Sequence, residues 1–291
     1  MTDVLVIGGT GMLGHTVAQV LRDAHLDVAH SSRDGATGLA FDARTDDPSA
    51  FLSAAGSPRY VVNAIGIIKP HIDEADNASR QQAIDVNGAF PHKLATAAED
   101  VGSHVIQIAT DCVYSGAQGM YRETAAHDAL DVYGKTKSLG EVPSPSVTHL
   151  RCSIIGPENG RSTSLWEWLI GQPAGATVNG YTDHRWNGVT THAFGQICAG
   201  IVRSGWAQAG SFHIIPGDVV TKAQLLDDIK AACGRDDIVV QAGPAPSSID
   251  RTLASDYPEA NAALWDAAGY TEAPSIAKMV RDAETFRSAQ R

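Results

Sequence analysis

Cysteine is scarce in this chain, and the few cysteines are far apart. They stand at Cys112, Cys152, Cys198 and Cys233, with no Cys-x-x-Cys pair among them. Zinc ribbons and disulfide scaffolds rest on closely spaced cysteines, so neither is expected. The 11 histidines also include no His-x-x-x-His pair. We therefore predict no metal site and reduced thiols.

Basic runs and long apolar runs are missing as well. The net charge is -11 and no segment is rich in Lys and Arg, which argues against nucleic acid and anionic membranes as partners. No run of about 18 apolar residues predicts a membrane span. The start, MTDVLVIGG, lacks the basic residues and the cleavage site of a secretion signal. These features favour a cytoplasmic protein.

What the chain does have is a regular alternation of apolar strands with amphipathic helices. The continuous apolar run in DVLVIGG is typical of a strand buried on both faces of a parallel sheet. Helical spacing follows in MLGHTVAQVLRDAH, and the alternation continues through YVVNAIG, SHVIQIAT and VTHLRCSIIG. This pattern predicts an α/β fold with a doubly wound parallel sheet, in which ligands bind beyond the carboxyl ends of the strands.

The pattern changes after Gly156. Turn and loop signals dominate PENGRSTS and NGYTDHRWNGVTTH, and the later helical segments are broken by Gly and Pro. We interpret residues 1–156 as a dinucleotide-binding domain of the Rossmann type, to which residues 186–217 return. Residues 157–185 and 218–291 are predicted to form a smaller carboxyl-terminal lobe that binds the substrate.

A glycine-rich turn, GGTGMLG, follows the first predicted strand and opens the first predicted helix. Its Gly8, Gly11 and Gly14 have the spacing Gly-x-x-Gly-x-x-Gly. In a dinucleotide-binding turn the three glycines allow a tight turn, a close approach to pyrophosphate and close helix packing. The phosphates then meet free N–H groups and the positive end of the helix dipole. We predict that this turn binds a nucleotide cofactor.

The end of the second predicted strand, HSSRD, favours one cofactor over another. An acidic residue at this place accepts a hydrogen bond from the ribose 2′-hydroxyl of NAD. Here Ser31 and Ser32 are followed by Arg33, whose guanidinium suits a 2′-phosphate. Asp34 comes one residue later and competes with that interpretation. The pattern favours NADP(H), with NAD(H) as the alternative.

Three polar side chains are predicted to meet beside the cofactor. Thr110 follows the strand SHVIQIAT, and Tyr133 and Lys137 lie one helical turn apart in VYGKTK. Reduction of a ketone needs a hydride at carbon and a proton at oxygen. A nearby ammonium lowers a phenol pKa by about 1–3 units, so Lys137 is expected to make Tyr133 a better proton donor. Thr110 can donate a hydrogen bond to the carbonyl oxygen.

The combined pattern resembles the extended short-chain dehydrogenase/reductase family, and within it the dTDP-4-dehydrorhamnose reductases and related nucleotide-sugar 4-ketoreductases. The resemblance rests on GGTGMLG, NAIG, VNG, TDCVYSG, YGKTKSLGE and RCSIIGP, with WNGVTT later in the chain. It implies that Thr110, Tyr133 and Lys137 form a catalytic triad. The implied reaction is NADPH-dependent reduction of the 4-keto group of a nucleotide-linked 4-keto-6-deoxy sugar. The chain departs from related enzymes at Ala125 and Ala129, in the loop that leads to Tyr133, and this departure bears on the substrate more than on the chemistry.

The residue patterns and the resemblance together predict which residues contact the ligands. A nucleotide-diphosphate sugar is the expected partner, and a homodimer is an open alternative to a monomer. Asp42 in FDAR is expected near the adenine. The substrate is expected to touch Asp111, Arg161, Arg185 and Trp186. The cofactor is expected to touch Gly8, Thr10, Gly11, Met12, Leu13, Ser32, Arg33, Asp42, Ala64, Gly66, Tyr133 and Lys137.

A chain of net charge -11 needs local cations to hold an anionic substrate. The glycine turn is assigned to the phosphates of the cofactor, so the substrate diphosphate needs other partners. Arg161 in ENGRSTS follows a sheet strand, and Arg185 in TDHRWNG lies in a segment without helix or strand periodicity. Guanidinium groups suit diphosphates, so we expect one or both to bind there. Lys69 and His71 are the next candidates.

Three other functions fit parts of this pattern. Nucleotide-sugar 4,6-dehydratases place an Asp-Glu pair after the active-site Thr, where this chain has Asp111 and Cys112, and a thiol substitutes poorly for that acid. A nucleotide-sugar epimerase on the same scaffold keeps its cofactor, whereas a reductase must release it. A non-catalytic, NADP-binding regulatory subunit of methionine adenosyltransferase also resembles this family, but that role needs neither Tyr133 nor Lys137.

Overall fold

The computed structural model describes residues 2–158 and 163–290. Within these ranges no helix is both long and apolar enough to cross a membrane. The helices are α1 (Met12–Asp23), α2 (Pro48–Ala54), α3 (Asn77–Ala83), α4 (Phe90–Val101), α5 (Val132–Leu139), α6 (Leu165–Ile170), α7 (Thr191–Ser204), α8 (Lys222–Ala232), α9 (Pro258–Ala267) and α10 (Ile276–Ala289). The strands are β1 (Val4–Ile7), β2 (Val28–Ser32), β3 (Leu39–Ala40), β4 (Tyr60–Asn63), β5 (His104–Thr110), β6 (Val147–Cys152), β7 (Ile154–Ile155), β8 (Thr177–Tyr181), β9 (His184–Trp186), β10 (Val189–Thr190), β11 (Gly210–His213), β12 (Val220–Thr221), β13 (Val239–Gly243) and β14 (Ile249–Asp250).

Seven strands form one parallel sheet in the order β11-β6-β5-β4-β1-β2-β3. The chain runs outward from β1 through β2 to β3, and then crosses back to β4 on the other side of β1. Parallel strands place their carboxyl ends at one edge, and this reversal leaves a crevice there between β1 and β4. The predicted α/β class with a doubly wound parallel sheet is confirmed.

Alternate side chains of the strands are buried on opposite faces of the large sheet. Val4 and Val6 of β1 pack in a cluster with α1 and α7, whereas Leu5 and Ile7 pack in a cluster with α2 and α4. A strand covered on both faces can be apolar at every position, which accounts for the continuous run VLVI. Because helices cover both faces, the ends of the strands are the part of the sheet left for ligands.

The part of the chain after Gly156 contains more regular structure than its sequence predicts. The turn-rich stretch NGYTDHRWNGVTTH includes β9, β10, the end of β8 and the start of α7. Arg185 therefore lies in strand β9, although its segment shows no strand periodicity in the sequence. Strands of two or three residues carry too little periodicity to be recognised in a sequence.

Late elements of the chain return to the large sheet. Strand β11 pairs with β6 at the sheet edge, and α7 packs against α1. The other late strands contribute to small sheets, which include β13-β8 and β12-β9-β14. Helices α9 and α10 also pack against α7. The domain boundaries predicted near residues 156, 186 and 217 stay a prediction.

A buried charge network joins β6 to the segment that follows α5. Arg151 on β6 is 1% exposed and forms an ion pair with Glu141. Its guanidinium also donates to the Tyr114 hydroxyl at 2.9 Å and contacts the His213 ring nitrogen at 2.7 Å. A buried charge is tolerated when it is paired and hydrogen-bonded, as it is here. The network therefore fixes the end of α5 against β6 and β11.

Arg151→Met should lower the free energy of unfolding by roughly 3–5 kcal/mol, because it leaves the Glu141 carboxylate buried without its cation. The double variant Arg151→Met with Glu141→Gln should recover part of this loss, since both charges are then removed. Urea unfolding followed by circular dichroism measures both variants. Equal stability of the single and double variants would show that the ion pair does not hold this face together.

Candidate active site

A cavity of about 550 Å³ opens at the carboxyl edge of the large sheet. Its wall is formed by the start of α1, the segments after β4 and β5, one face of α5, and the small sheet β12-β9-β14. Predicted ligand contacts outside this lining are Gly8, Thr10, Ser32, Arg33 and Asp42. Those that line the cavity are Gly11, Met12, Leu13, Ala64, Gly66, Thr110, Asp111, Tyr133, Lys137, Arg185 and Trp186.

The glycine turn brings backbone close to the cavity. Gly8 has a φ of 84°, in the left-handed region that side chains disfavour. A Cβ on Gly14 would lie 2.2 Å from the Gly8 carbonyl oxygen, so α1 can pack on the turn only when this residue has no side chain. The Gly8 N–H donates to the Ser31 hydroxyl at 3.1 Å. This bond ties the turn to the end of β2.

Helix α1 begins at this turn without a side-chain cap. Its N-cap residue is Gly11, and no side chain accepts from the first N–H groups of the helix. Uncapped N–H groups and the helix dipole together bind phosphate in many nucleotide sites. A Cβ on Gly11 would lie 3.5 Å from the Gly8 carbonyl oxygen, which is ordinary contact. The turn therefore fits a dinucleotide pyrophosphate.

The predicted ribose-phosphate end lies at the carboxyl end of β2. The Asp34 carboxylate accepts from the Ser32 hydroxyl at 3.3 Å and from the Ala36 N–H at 3.0 Å, and these bonds hold Asp34 within its own turn. Arg33 is exposed, and its guanidinium makes no hydrogen bond or ion pair with the described residues. The Asp34 carboxylate is thus held by hydrogen bonds within its own turn, while the Arg33 guanidinium is available to a ligand.

Asp42, expected near the adenine, is held by its neighbour Arg44. The Arg44 guanidinium donates to both carboxylate oxygens of Asp42. This hydrogen bonding lowers the pKa of Asp42 to about 2, although partial burial opposes the decrease. The charge of Arg33 also lowers this pKa. Arg33 and Asp42 therefore belong to one charged patch beside β2 and β3.

Thr110 stands at the end of β5, where the strand turns into the cavity wall. Its hydroxyl accepts from the Cys112 N–H at 3.2 Å and donates to the Asp111 carboxylate at 3.3 Å. The Thr110 hydroxyl also lies close enough to the Tyr133 phenol to lower its pKa. The hydroxyl and the phenol, 23 positions apart in the chain, thus meet at the carboxyl edge of the sheet.

Helix α5 presents Tyr133 and Lys137 to this edge. The Asp131 side chain caps the helix by accepting from the Gly134 N–H at 2.9 Å. One turn later, the buried Lys137 ammonium donates to the Ile108 carbonyl oxygen at 2.9 Å. This bond anchors the helix to β5 and holds Lys137 in the cavity wall.

Burial decides the protonation states of the two groups. Desolvation raises the pKa of the Tyr133 phenol, Cys112 and Asp111 add to the increase, and Thr110 opposes it. The predicted lowering by Lys137 is wrong for this structure, because desolvation dominates and the ammonium is directed to a backbone carbonyl. Desolvation lowers the pKa of Lys137 to about 8, and Glu141 opposes this decrease. Near neutral pH the phenol is therefore protonated and the ammonium is mostly charged.

Asn87 supports the cavity from behind. Its side-chain oxygen accepts from the Ile67 N–H at 2.8 Å, and its amide donates to the Ile67 carbonyl oxygen at 2.9 Å. The amide also contacts the Thr136 hydroxyl at 3.3 Å. Asn87 thereby holds the segment after β4, which includes Gly66, against α5.

The residues predicted to contact the substrate are in different environments. Asp111 is buried beside Thr110, and desolvation raises the pKa of its carboxyl group. Trp186 lines the cavity and donates from its indole to the Ser153 hydroxyl at 2.8 Å. The Arg185 side chain is 54% exposed and lies 3.8 Å from the Asp250 carboxylate. The fourth predicted contact, Arg161, lies outside the described residues.

Two cations in the cavity wall carry no signal in the sequence. They are Lys222, at the start of α8, and Arg251, just after β14. Only the pairing of β12 and β14 with β9 brings them beside Trp186. The residues in ranges 2–158 and 163–290 contain no group of three His, Cys, Asp or Glu side chains that could hold a metal ion.

The sequence of the first half matches a known family. Residues 1–155 match the model described as the RmlD substrate binding domain. The chain belongs to this family. The matched range ends with β7 and contains the glycine turn, Thr110, Tyr133 and Lys137. The resemblance to dTDP-4-dehydrorhamnose reductases, inferred from the motifs, is confirmed.

Curated relatives include a reductase and a regulatory protein. A dTDP-4-dehydrorhamnose reductase of Streptomyces griseus is 34% identical over 143 residues, which are 47% of this chain and 43% of that protein. The methionine adenosyltransferase 2 subunit beta of Danio rerio is 30% identical over 141 residues, which are 47% of this chain and 42% of that protein. The chain therefore matches less than half the length of these two relatives.

The likeness in fold extends over the whole chain. A solved structure of dTDP-4-dehydrorhamnose reductase from Bacillus anthracis, in complex with NADP, matches with a TM-score of 0.78. The match covers 98% of this chain and 100% of the other, at 16% sequence identity. At this identity the match establishes a shared architecture.

Gly11→Ala and Gly14→Ala should have different effects. Gly14→Ala should lower the free energy of unfolding by about 1–3 kcal/mol, because its Cβ meets the Gly8 carbonyl oxygen. Gly11→Ala should change stability by less than about 0.5 kcal/mol and yet weaken NADPH binding, because its Cβ occupies ligand space. Urea unfolding and fluorescence titration with NADPH measure the two effects. Unchanged NADPH affinity in Gly11→Ala would remove the pyrophosphate from this turn.

Proposed function

We propose that this protein reduces the 4-keto group of a nucleotide-linked 4-keto-6-deoxy sugar, with NADPH as the hydride donor. The observation that carries the proposal is the presence of Thr110, Tyr133 and Lys137 in one cavity with the glycine-turn end of α1. Family membership supports it, as do the dTDP-4-dehydrorhamnose reductase relatives. The curated relatives are matched over less than half their length, so an assay of 4-keto sugar reduction is the direct test of this reaction.

NADPH fits the carboxyl edge at the crevice between β1 and β4. The uncapped start of α1 would hold the pyrophosphate, and Arg33 with Ser32 would hold the 2′-phosphate beside Asp42. Lys137 would hold the hydroxyls of the nicotinamide ribose. When bound, NADPH supplies the hydride that adds to the carbonyl carbon. The Bacillus anthracis reductase contains NADP, which supports this choice, and NAD(H) is the alternative.

Tyr133 is the proposed proton donor. Its buried phenol carries a proton at neutral pH and can donate it to the carbonyl oxygen of the substrate. Thr110 can donate a hydrogen bond to the same oxygen and so stabilise its developing negative charge. Lys137 acts on the cofactor in this proposal, because its ammonium is held at the Ile108 carbonyl oxygen in the cavity wall. Each member of the triad therefore has a separate task in the proposed reaction.

The second half of the chain is proposed to select the substrate. In this proposal residues 1–156 and 186–217 bind the cofactor, while residues 157–185 and 218–291 bind a nucleotide-diphosphate sugar. The protein is proposed to act in the cytoplasm.

The oligomeric state of the protein is a separate question. Light scattering during size-exclusion chromatography distinguishes a monomer from the homodimer that is the alternative.

Two alternative functions make different demands on the purified protein. An epimerase on this fold would retain its nucleotide through purification, whereas a reductase exchanges it at every turnover. A regulatory role, suggested by the similarity to the Danio rerio subunit, requires a partner protein and no ketoreductase activity. Measurement of bound nucleotide, and a binding assay with a methionine adenosyltransferase catalytic subunit, separate these roles from the proposed one.

Tyr133→Phe should lower turnover by roughly 10²–10⁴-fold, because it removes the proton donor and keeps the ring. NADPH affinity should be nearly unchanged. The assay follows loss of NADPH absorbance with a panel of nucleotide-linked 4-keto-6-deoxy sugars. Tyr257→Phe, at an exposed tyrosine, is the control and should retain full activity. Wild-type turnover in Tyr133→Phe would overturn the assignment.

Arg33→Ala should weaken NADPH binding about ten- to a hundred-fold, which corresponds to the loss of one charge-assisted contact. NADH binding should not change, because NADH has no 2′-phosphate. Arg203→Ala, an exposed arginine on α7, is the control for the loss of a surface charge. Titration of each variant with both cofactors measures the effect. An equal loss for NADPH and NADH would place Arg33 away from the 2′-phosphate.

A further inference from the structure

The register of the small sheet β12-β9-β14 directs Lys222 into the cavity. Trp186 of β9 pairs with Val220 of β12, and Arg185 pairs with Thr221. Neighbouring residues of a strand point to opposite faces, so the residue after Thr221 returns to the Trp186 face. That residue is Lys222, and it lines the cavity together with Trp186.

The Lys222 ammonium has no partner among residues 2–158 and 163–290. It forms neither a hydrogen bond nor an ion pair with them. Desolvation lowers the pKa of Lys222, and the charge of the Asp111 carboxylate opposes this decrease without an ion pair between the two. An ammonium that is taken out of water without a counterion raises the free energy of the protein. A bound anion in the cavity would recover that free energy.

Helix α8 begins at Lys222 and adds the positive end of its dipole. The Thr221 hydroxyl accepts from the Gln224 N–H at 3.2 Å, and the Gln224 side chain accepts from the Thr221 N–H at 2.8 Å. This capping box still leaves the N–H groups of Lys222 and Ala223 without acceptors inside the helix. Free N–H groups and the dipole both favour an anion at this end.

Arg251 supplies a second cation in the same wall. Asp250 pairs with Arg185 in the sheet, so the residue after Asp250 lies on the Trp186 face. The Arg251 Nε donates to the Tyr114 carbonyl oxygen at 2.9 Å, which orients the guanidinium. Arg251 forms no ion pair with the part of the chain that the structure describes.

We propose that Lys222, the N-terminus of α8 and Arg251 form one anion subsite, and that it holds the phosphate groups of the substrate. The inference rests on the proposed function, because it takes the substrate to be a nucleotide sugar. It assigns the diphosphate to groups other than the predicted Arg161 and Arg185.

The other candidate cations for this role are engaged elsewhere. The Arg185 side chain is 54% exposed and lies 3.8 Å from the Asp250 carboxylate. The Lys69 side chain is 58% exposed and pairs with Asp131 at 2.9 Å. Solvent-exposed charges contribute little to binding, because water and salt screen them. Lys222 is desolvated and unpaired, so its attraction for a phosphate is screened less.

Binding of dTDP and of UDP to the full chain tests the subsite without turnover. Lys222→Met should weaken binding about ten- to a hundred-fold, the range for one lost charge-assisted hydrogen bond. NADPH affinity should stay unchanged, because its pyrophosphate is assigned to α1. Lys222→Arg keeps the charge and should restore most of the affinity. Isothermal titration calorimetry measures each constant.

Lys278→Met is the matched control, since Lys278 lies on α10, is about half exposed and pairs with Asp282. It should bind dTDP, UDP and NADPH as the wild type does. Thermal unfolding identifies a variant that has lost its fold. Lys222→Gln then replaces Lys222→Met, and Arg251→Gln tests the second cation separately.

Two results would overturn the subsite. One is wild-type affinity for dTDP and UDP in the folded Lys222 variants, and the other is the absence of binding of either nucleotide to the wild type. The proposed function fails in a different way, through the absence of reduction of every 4-keto sugar tested. A protein that binds dTDP or UDP through Lys222 and reduces none of these sugars would refute the reductase assignment and keep the subsite.

Discussion

The hydrogen bond from the Lys137 ammonium to the Ile108 carbonyl oxygen, at 2.9 Å, sets the geometry on which the candidate site depends. It joins α5 to β5 and so fixes the depth of the helix relative to the carboxyl edge of the sheet. Tyr133 lies one turn before the lysine, and Thr110 lies two residues after the carbonyl. The same bond therefore brings the phenol to the hydroxyl. A buried ammonium needs such a partner, and this one is part of the backbone of the core.

The two sides of the cavity provide for anions by different means. At the start of α1 the groups that attract an anion are backbone N–H donors around Gly11, without a capping side chain. In the wall formed by β9, β12 and β14, the groups that attract an anion are the side chains of Lys222 and Arg251. A chain of net charge -11 can thereby receive polyanions without a basic surface, because the favourable charges are few and lie in a partly desolvated cavity.

The cavity also connects the two halves of the chain. The family match ends at residue 155, and the matched part contains the glycine turn and the triad. The wall formed by β9, β12 and β14 comes from the part beyond the match, although the fold likeness extends over nearly the whole chain. The triad and the cations of the opposite wall therefore come from different stretches of sequence. Arg151, Glu141 and Asn87 belong to the first stretch and hold its elements in place.

The sequence by itself determined the large sheet, the glycine turn and the Tyr133–Lys137 pair, because each is a local pattern within a few residues. Tertiary structure alone decided the cavity wall opposite the glycine turn, since Lys222 and Arg251 reach Trp186 only through pairing between strands of two or three residues. It also decided the protonation of Tyr133, where burial outweighs the expected effect of Lys137. The desolvation of the Tyr133 phenol depends on neighbours from distant parts of the chain, and no short sequence pattern predicts it.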